Sequence, residues 1–265
     1  MEYAGNLRKM KAHLTDPIEY QMVIGEDLVD MNPLIGQNIK LSYNGQINCK
    51  VCGRKTKKSF GEGLCFPCFQ NAPQNSPCII RPELCEGHLG IGRDVAWEEA
   101  NHVQPHVVYL ALSSGVKVGV TRGEQVPTRW IDQGASQAIR LAETPYRQLA
   151  GAIEVALKEH LSDKTNWQRM LKNQVAEGVD LLQEKAKAKA LLSEDLQQYI
   201  SEKDDIFTLN YPVTAYPLKV SSVGFDKLPE IEGKLKGIKG QYLIFTDNRV
   251  LNIRKHTGYW VSMEH

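Results

Sequence analysis

Two pairs of cysteines constrain the fold of this chain more than any other feature of its sequence. Each pair has the spacing Cys-x2-Cys, and twelve residues separate the two pairs. Two such knuckles can place four thiolates tetrahedrally around one zinc ion, and a closed set of four thiolates is typical of structural zinc. Four unrelated buried thiols would not need this spacing. The sequence therefore predicts a structural zinc ribbon with the ligands Cys49, Cys52, Cys65 and Cys68.

A second group of metal-binding residue types follows the ribbon. The candidates for a second zinc site are Cys78, Cys85 and His88. Either His102 or His106 could supply the fourth ligand. The spacing of these residues is irregular, and two buried cysteines with surface histidines explain it equally well. Both interpretations stay open, so we expect one zinc ion and allow for a second.

The composition indicates a globular protein of the reducing cytoplasm. A net charge of +1 gives no overall attraction to nucleic acid or to a membrane surface. The longest apolar run, residues 107–112, is too short to span a bilayer, and charges interrupt the stretch where a signal peptide would be apolar. All six cysteines lie between positions 49 and 85. In a reducing compartment this clustering favours metal binding over disulfides.

Changes in composition and pattern divide the chain into five expected segments. These are an N-terminal β segment at 1–48, a zinc-binding region at 49–106, a compact domain at 107–165, a helical linker at 166–205 and a C-terminal β module at 206–265. Residues 38–48 predict a hairpin that turns at Asn44-Gly45, and residues 241–255 predict a clearer one. Because these two stretches look alike, the two ends of the chain could share one β-barrel.

Residues 107–122 predict another hairpin, with its turn at Ser113-Ser114-Gly115. Alternation then places six apolar side chains on one face that must be covered: Val108, Leu110, Leu112, Val116, Val118 and Val120. The opposite face brings Tyr109, Lys117 and the bare backbone of Gly119 together. A phosphate-binding loop is excluded, because the strand is not followed by Gly-Lys-Ser/Thr and a helix.

The elements expected after this hairpin complete a β-β-α-β-α unit. They are a helix at 127–133, a strand at 138–142, and a helix from Thr144-Pro145 to about Leu161. The first helix carries Arg129 and the second carries Glu154. Ordinary surface pairing, such as Glu154 with Lys158 one turn later, would also account for these charges.

The order of these elements resembles the GIY-YIG nuclease fold over residues 107–166. Residues VVY (107–109) and KVG (117–119) stand at the two strand motifs of that family. Arg129 and Glu154 stand at its helical arginine and later glutamate, and Asn166 could match a late asparagine. The fold class implied is α+β, with a GIY-YIG-like β-β-α-β-α core, an N-terminal zinc ribbon and flanking small β modules.

The resemblance implies metal-dependent phosphodiester cleavage. Tyr109 would be the general base if nearby cations lower its pKa, and Arg129 would contact the phosphate. Glu154 would hold Mg²⁺ or Mn²⁺. Lys117 would add a second positive charge, but typical members have a tyrosine at this position. That departure favours an alternative in which the module binds RNA, DNA or a ribonucleoprotein without cleaving it.

The whole chain also resembles an uncharacterised bacterial family. That family joins a zinc ribbon to a core with the motifs VYLA, KVGVTR and RWIDQGA, and to a C-terminal module with GIKGQYLIF. This resemblance spans most of the sequence and implies the domain order without an activity.

Local clusters of basic residues indicate nucleic acid as the partner, with DNA or RNA undecided. Residues 48–70 contain five basic residues and one acidic residue, although a four-thiolate zinc site would offset part of that excess. The candidate contacts are Arg54, Lys55, Lys57 and Lys58 in the ribbon, and Arg249, Arg254 and Lys255 near the C-terminus. A solvated charge run is the alternative interpretation. A structural zinc protein that binds protein partners is a third, and no organic cofactor is expected.

Overall fold

A computed structural model describes residues 2–161 and 165–265 of the chain. It divides into two compact units, one formed by Met1–Gln70 and Leu209–His265 and the other by Asn71–Thr208. Both units mix strands with few helices, which confirms the α+β class. In the described residues no helix is long and apolar enough to cross a membrane.

The strands and helices are numbered along the chain. Those up to residue 71 are β1 Glu2–Asn6, β2 Lys11–His13, β3 Glu19–Ile24, β4 Asp27–Asp30, β5 Asn38–Asn48, β6 Lys55–Thr56 and α1 Phe66–Asn71. The second unit continues with α2 Val95–His102, β7 His106–Leu112, β8 Val116–Arg122, α3 Thr128–Asp132, β9 Gln137–Thr144, α4 Arg147–Lys158, α5 Trp167–Leu171, α6 Leu181–Leu191, α7 Glu194–Gln197 and β10 Phe207–Thr208. The chain ends with β11 Ser221–Val223, β12 Glu230–Lys239, β13 Tyr242–Phe245, β14 Arg249–Asn252 and β15 Tyr259–Glu264.

The main sheet of the first unit joins the two ends of the chain. Its strand order is β1-β15-β5-β12-β13-β14-β11, with β6 beside β5, and β2-β3-β4 form a separate sheet. Strand β5 pairs antiparallel with both β12 and β15. The two similar stretches predicted to share a barrel therefore share one sheet.

The hairpin predicted at Asn44-Gly45 is wrong, because β5 runs through this dipeptide without reversing. Tyr43 pairs with Val261 and Ile47 with Tyr259, so the turn residues form a bulge opposite β15. Gly45 adopts φ +86°, and the Gln46 N–H donates to Asn44 Oδ1 at 2.9 Å. Asn-Gly thus supplies the backbone freedom for a bulge instead of a turn.

The hairpin predicted at residues 241–255 is confirmed. Strands β13 and β14 pair antiparallel, with Tyr242 opposite Asn252 and Leu243 opposite Leu251. Asn248, in the connecting turn, adopts φ +67°. This left-handed conformation is one that asparagine tolerates better than most residues.

The sheet of the second unit has the order β10-β9-β7-β8, which places β7 between β8 and β9. The predicted register of the β7–β8 hairpin is confirmed, with Tyr109 opposite Gly119 and Leu112 opposite Val116. Its apolar face packs against side chains of α4 and α6 in one hydrophobic core. Burial of that face is what the alternation required.

The helix and strand predicted after the hairpin form as α3 and β9, but the next helix begins later than expected. Thr144 was predicted as its N-cap, whereas Thr144 ends β9 by pairing with His106 of β7. The Thr144 hydroxyl donates to the Tyr146 carbonyl at 3.0 Å, and α4 starts at Arg147. Strand pairing therefore extends through the residue whose type suggested a cap.

The two compact units do not follow the five segments expected along the chain. Residues 1–48 belong with 209–265, and the region 49–106 divides between the units after residue 70. The physical reason is the pairing of β5 with strands near the C-terminus. Residues 162–164 of the expected segment 107–165 lie outside the described residues.

Replacing Gly119 with alanine tests the packing of the buried sheet face. A Cβ at Gly119 would lie 2.6 Å from the Tyr109 hydroxyl oxygen, and Tyr109 is 1% exposed, so the ring cannot swing into solvent. We expect Gly119→Ala to lower the free energy of unfolding by about 1–3 kcal/mol. Chemical denaturation of the full chain measures this. Gly115→Ala is the control, because a Cβ there meets nothing within 4 Å; equal effects of the two changes would contradict the packing argument.

Candidate functional site

The four cysteines of the two knuckles come together in the first unit. Their sulfur atoms all lie within 4.8 Å of one another, and Cys52 Sγ is 3.7 Å from Cys65 Sγ. A tetrahedral site with Zn–S bonds of about 2.3 Å places sulfurs about 3.8 Å apart. The described cysteines form no disulfide. The cluster is therefore consistent with zinc held by the predicted ligands Cys49, Cys52, Cys65 and Cys68.

Backbone groups of the knuckles favour the thiolate form of Cys49. Burial by itself raises the pKa of this thiol, but backbone N–H groups of Cys52, Cys65 and Val51, together with the Cys52 side chain, outweigh that effect and lower the pKa to about 6. The first knuckle closes by a hydrogen bond from the Gly53 N–H to the Cys49 carbonyl at 2.9 Å. Gly53 adopts φ +70°, a conformation that costs glycine little. The backbone of this knuckle thus stabilises Cys49 as a thiolate, the form that binds a metal cation.

A second cluster of four metal-binding side chains lies in the second unit. Its members are Cys78, Cys85, Glu98 and His102, all buried, with one ligand atom from each within 4.8 Å of the others. Cys85 Sγ lies 3.4 Å from His102 Nδ1, and Cys78 Sγ lies 3.9 Å from the same nitrogen. A Glu98 carboxylate oxygen also contacts His102 Nδ1. Thiolate, imidazole and carboxylate are all zinc ligands, so this cluster is also consistent with zinc.

Two short turns and one helix position the second cluster. Cys78 lies in the turn Pro77–Ile79, and Cys85 follows the turn Pro82–Leu84. Glu98 and His102 lie four residues apart on α2, so they share one face of that helix. The spacing of Glu98 and His102 was the only sequence signal for Glu98, and a single carboxylate at helical spacing is too common to identify a ligand.

His88, predicted as a ligand of the second site, lies outside the cluster, and Glu98 takes the remaining place in it. The turn Gly87–Leu89 aims the His88 ring at Tyr146, with ring centroids 4.4 Å apart and planes 6° apart. Of the two histidines proposed to close the site, His102 joins it. His106 instead lies in β7, with its Nδ1 2.7 Å from the Gln104 carbonyl oxygen.

The loop between the two cysteines of the second cluster is fastened to α4. Arg147 donates two hydrogen bonds to the Cys78 carbonyl, at 2.9 and 3.0 Å, and one to the Ile79 carbonyl at 3.0 Å. One turn further along α4, Gly151 lies against the backbone of residues 82–83, where a Cβ would be 2.1 Å from the Glu83 nitrogen. The second cluster and the helix that carries Glu154 therefore share a close backbone contact.

Two of the predicted catalytic residues act on a third, Tyr109, in the second unit. The Tyr109 hydroxyl donates to Gln133 Oε1 at 2.9 Å, and the Arg129 guanidinium acts on it electrostatically. Burial raises the pKa of Tyr109, while the Arg129 guanidinium and Gln133 oppose that rise, and the Glu154 carboxylate adds to it. Arg129 and Glu154 thus both act electrostatically on Tyr109, and we call these three residues with Gln133 the tyrosine cluster.

The surroundings of Tyr109 do not favour the general-base role. The expectation required a pKa lowered by nearby cations, whereas burial raises it. With 1% of its surface exposed, the phenol is closed off from bulk solvent. A neutral, hydrogen-bonded tyrosine positions its neighbours instead of abstracting a proton.

The side chains of the other predicted catalytic residues are also buried, or already form an ion pair or a hydrogen bond. Glu154 is 8% exposed, and its Oε2 lies 3.4 Å from Lys158 Nζ, which is the ordinary pair one helical turn away. Lys117 is buried on β8, opposite Ala111. Asn166 caps α5, where its Oδ1 accepts a hydrogen bond from the Arg169 N–H at 3.1 Å.

The predicted nucleic-acid contacts fall into two groups. Five of the seven predicted contacts are exposed and have no ion pair in the described part of the chain: Arg54, Lys55, Lys57, Lys58 and Lys255. Arg249 is bound to Asp247, with Nε 2.5 Å from Oδ2, and Arg254 is bound to Glu62, with Nε 2.7 Å from Oε2. The ribbon residues therefore remain available for phosphate, while two of the three C-terminal candidates already have acidic partners.

Metal analysis tests both clusters at once. We expect two zinc ions per chain, because each group of four ligands can complete one tetrahedral site. Cys49→Ser should remove one equivalent and Cys78→Ser the other, since a serine hydroxyl replaces a thiolate poorly as a zinc ligand. Elemental analysis after gel filtration measures the content. An unchanged zinc content in Cys78→Ser would exclude the second site, and the same result in Cys49→Ser would exclude the first.

Gly151→Ala tests the contact between the cysteine loop and α4. Alanine in a helix normally gains up to about 1 kcal/mol over glycine. Here its Cβ would be 2.1 Å from the Glu83 nitrogen, so we expect instead a loss of about 1–3 kcal/mol of unfolding free energy and of the metal in the second cluster. Denaturation and metal analysis provide the readouts. Ala156→Gly, at an exposed position of α4, measures the helix-propensity effect alone; a stabilised, fully loaded Gly151→Ala variant would disprove the contact's role.

Comparison with known proteins assigns the chain to a family without adding an activity. A family model described as "Protein of unknown function (DUF2797)" matches residues 36–261. Searches of curated proteins and of solved structures returned no match. The matched range contains both cysteine clusters and the tyrosine cluster. Because the match covers most of the sequence, the chain belongs to the DUF2797 family.

Proposed function

We propose that this protein binds nucleic acid through the phosphate backbone, with the basic loop of the zinc ribbon as the principal contact. The observation that carries the proposal is the exposure of Arg54, Lys55, Lys57 and Lys58, none of which has an ion pair among the described residues. Four such cations in five consecutive positions have no acidic partner to give up before they meet phosphate. Phosphate contacts of this kind supply most of the affinity in sequence-independent binding.

Aromatic side chains beside the basic loop support a single-stranded target. Phe66 is 51% exposed, and its ring centroid lies 5.4 Å from that of Phe60. Lys58 Nζ lies 5.4 Å from the centroid of the Phe60 ring. An exposed ring next to cations can stack on a base while the cations contact phosphates. Unpaired DNA and unpaired RNA both offer accessible bases and phosphates, so the proposal covers both.

Binding without cleavage is favoured over catalysis by the state of the tyrosine cluster. The Tyr109 hydroxyl is enclosed and hydrogen-bonded, and burial raises its pKa. Lys117, at the position where typical GIY-YIG enzymes have a tyrosine, is buried as well. A nuclease needs these groups at a surface that a phosphodiester and a water molecule can reach.

Phosphodiester cleavage of the GIY-YIG type is the second candidate. It is favoured by one observation, the electrostatic effect of both Arg129 and Glu154 on Tyr109. These residues also occur on β7, α3 and α4 in the order that the resemblance implies. In an active form, Arg129 would contact the phosphate and Glu154 would hold Mg²⁺ or Mn²⁺.

Salt-dependent binding tests the first candidate. We expect Lys57→Ala/Lys58→Ala to weaken binding of single-stranded DNA and RNA, and to reduce the slope of log affinity against log salt by about 1.4, or 0.7 for each lost phosphate contact. The matched control is Lys187→Ala/Lys189→Ala, which removes the same charge from exposed positions of α6. Fluorescence anisotropy at several salt concentrations gives both values.

Three other outcomes of this titration would count against the ribbon contact. Equal losses in the two double variants would show that only net charge matters. An unchanged slope in Lys57→Ala/Lys58→Ala would show that the loop does not meet phosphate. No binding at low salt would favour the third interpretation, a structural zinc protein with protein partners.

A cleavage assay decides between the two candidates. We expect no cutting of mixed DNA and RNA substrates in Mg²⁺ or Mn²⁺ above the level of the Glu154→Gln variant, which keeps the size of the side chain while removing its charge. Binding should be the same in both proteins. Cleavage by the unmodified protein that Glu154→Gln abolishes would establish the nuclease and overturn binding without cleavage.

A further inference from the structure

The second cysteine cluster differs from the first in the ligand set and in what lies beside it. The first cluster offers four thiols, whereas the second offers two thiols, one imidazole and one carboxylate. Closed structural zinc sites are usually built from cysteine and histidine alone. A carboxylate is the hardest of these donors, and a metal already bound by thiolates and imidazole holds it least strongly. Glu98 is therefore the ligand that exchanges most readily.

A cavity adjoins the second cluster on the side of Glu98. Its volume is about 270 Å³, and both Glu98 and Cys78 line it. Other lining residues are the apolar Leu84 and Ile91, the acidic Glu86 and the basic Arg93. The volume lies just below that of pockets for drug-sized ligands, about 300–1,000 Å³, so it suits a ligand of few heavy atoms.

We propose that Cys78, Cys85 and His102 hold a zinc ion whose fourth ligand, Glu98, exchanges with a small-molecule thiol entering from this cavity. Two thiolates and one imidazole with a replaceable fourth ligand are the protein ligands of a reactive zinc site and not of a purely structural one. The proposal goes beyond nucleic-acid binding and does not depend on it.

The surroundings of Glu98 support its release from a metal. Ser76 Oγ donates to Glu98 Oε1 at 3.1 Å, so the carboxylate keeps a hydrogen bond inside the protein when it leaves the ion. Gly92 packs directly against this side chain, and only glycine fits there, because a Cβ would lie 2.3 Å from the Glu98 Cγ. A larger residue at position 92 would press on the carboxylate.

The softness of the site selects a thiol as the incoming ligand. Water or a free carboxylate must compete with an intramolecular carboxylate and offers no stronger bond. A thiolate offers a stronger one, because zinc already bound by sulfur and nitrogen prefers a soft donor. In the exchange the Zn–O bond to Glu98 breaks, a Zn–S bond forms, and the thiol proton passes to solvent. No atom changes oxidation state.

Arg93 indicates that the ligand carries a carboxylate in addition to its thiol. Its Nη1 donates to the carbonyls of Ala72 at 3.0 Å and Asn75 at 3.1 Å, which hold the guanidinium beside the cavity. The remaining N–H groups of a guanidinium suit a carboxylate. The chemistry therefore fits a small thiol that also bears a carboxylate, and mercaptoacetate is the simplest probe of this class.

The test uses the full chain loaded with Co²⁺, whose thiolate charge-transfer absorption increases with each bound sulfur. We expect mercaptoacetate to increase this absorption in a saturable way, with one binding event per chain and both cobalt ions retained after dialysis. Acetate, which lacks the thiol, should have no effect. Glu98→Ala removes the competing ligand and should lower the half-saturating concentration at least tenfold, and Glu98→Gln should act in the same direction.

Further variants separate the second cluster from other sources of signal. Arg93→Ala should weaken mercaptoacetate binding without weakening 2-mercaptoethanol, which has no carboxylate. Cys78→Ser should abolish the response. An unchanged spectrum in both the unmodified protein and Glu98→Ala would overturn the proposal. The same response in Cys78→Ser, or loss of cobalt during the titration, would also overturn it, because the thiol would then be acting elsewhere or removing the metal.

Discussion

The pairing of β5 with β12 on one side and β15 on the other is the interaction on which the architecture depends. It joins residues 38–48 to strands that begin 182 or more residues later, from Glu230 onward. Because backbone hydrogen bonds of a central strand must be satisfied on both edges, β5 cannot be buried until both partners are present. Residues 71–208 form their own unit between these partners in the sequence. The zinc knuckles directly follow β5, so the first metal cluster is attached to the strand that organises the sheet.

Local periodicity predicted the β7–β8 hairpin down to its register, for a clear physical reason. Side chains alternate strictly along a strand, so one turn position determines which residues face each other, as Tyr109 and Gly119 do. The same reasoning failed at Asn44-Gly45, because a turn signal shows only that the backbone can take an unusual conformation. Whether the chain then reverses or forms a bulge depends on distant partners such as β15, which local sequence does not reveal.

The candidate sites show the same division between local and distant information. Regular spacing identified the four ligands of the first cluster, since each knuckle is a local structure. Glu98 was missed because a carboxylate becomes a probable ligand only when the fold brings it to two cysteines from another segment. The order of Tyr109, Arg129 and Glu154 along the chain gave no information on whether the phenol would be enclosed. Burial depends on the whole unit and determines which way the pKa moves.

The interrupted first unit has a consequence for synthesis on the ribosome. Residues 71–208 can form their sheet and helices as soon as they emerge, because their strands pair with one another. The backbone groups of β5 stay unpaired on these two edges until its partners β12 and β15 have been translated. An unpaired strand edge can pair with a strand of another chain, which leads to aggregation. Early capture of a metal ion by the adjacent knuckles would fold part of that exposed segment, and the supply of that ion during translation would then affect how much chain escapes aggregation.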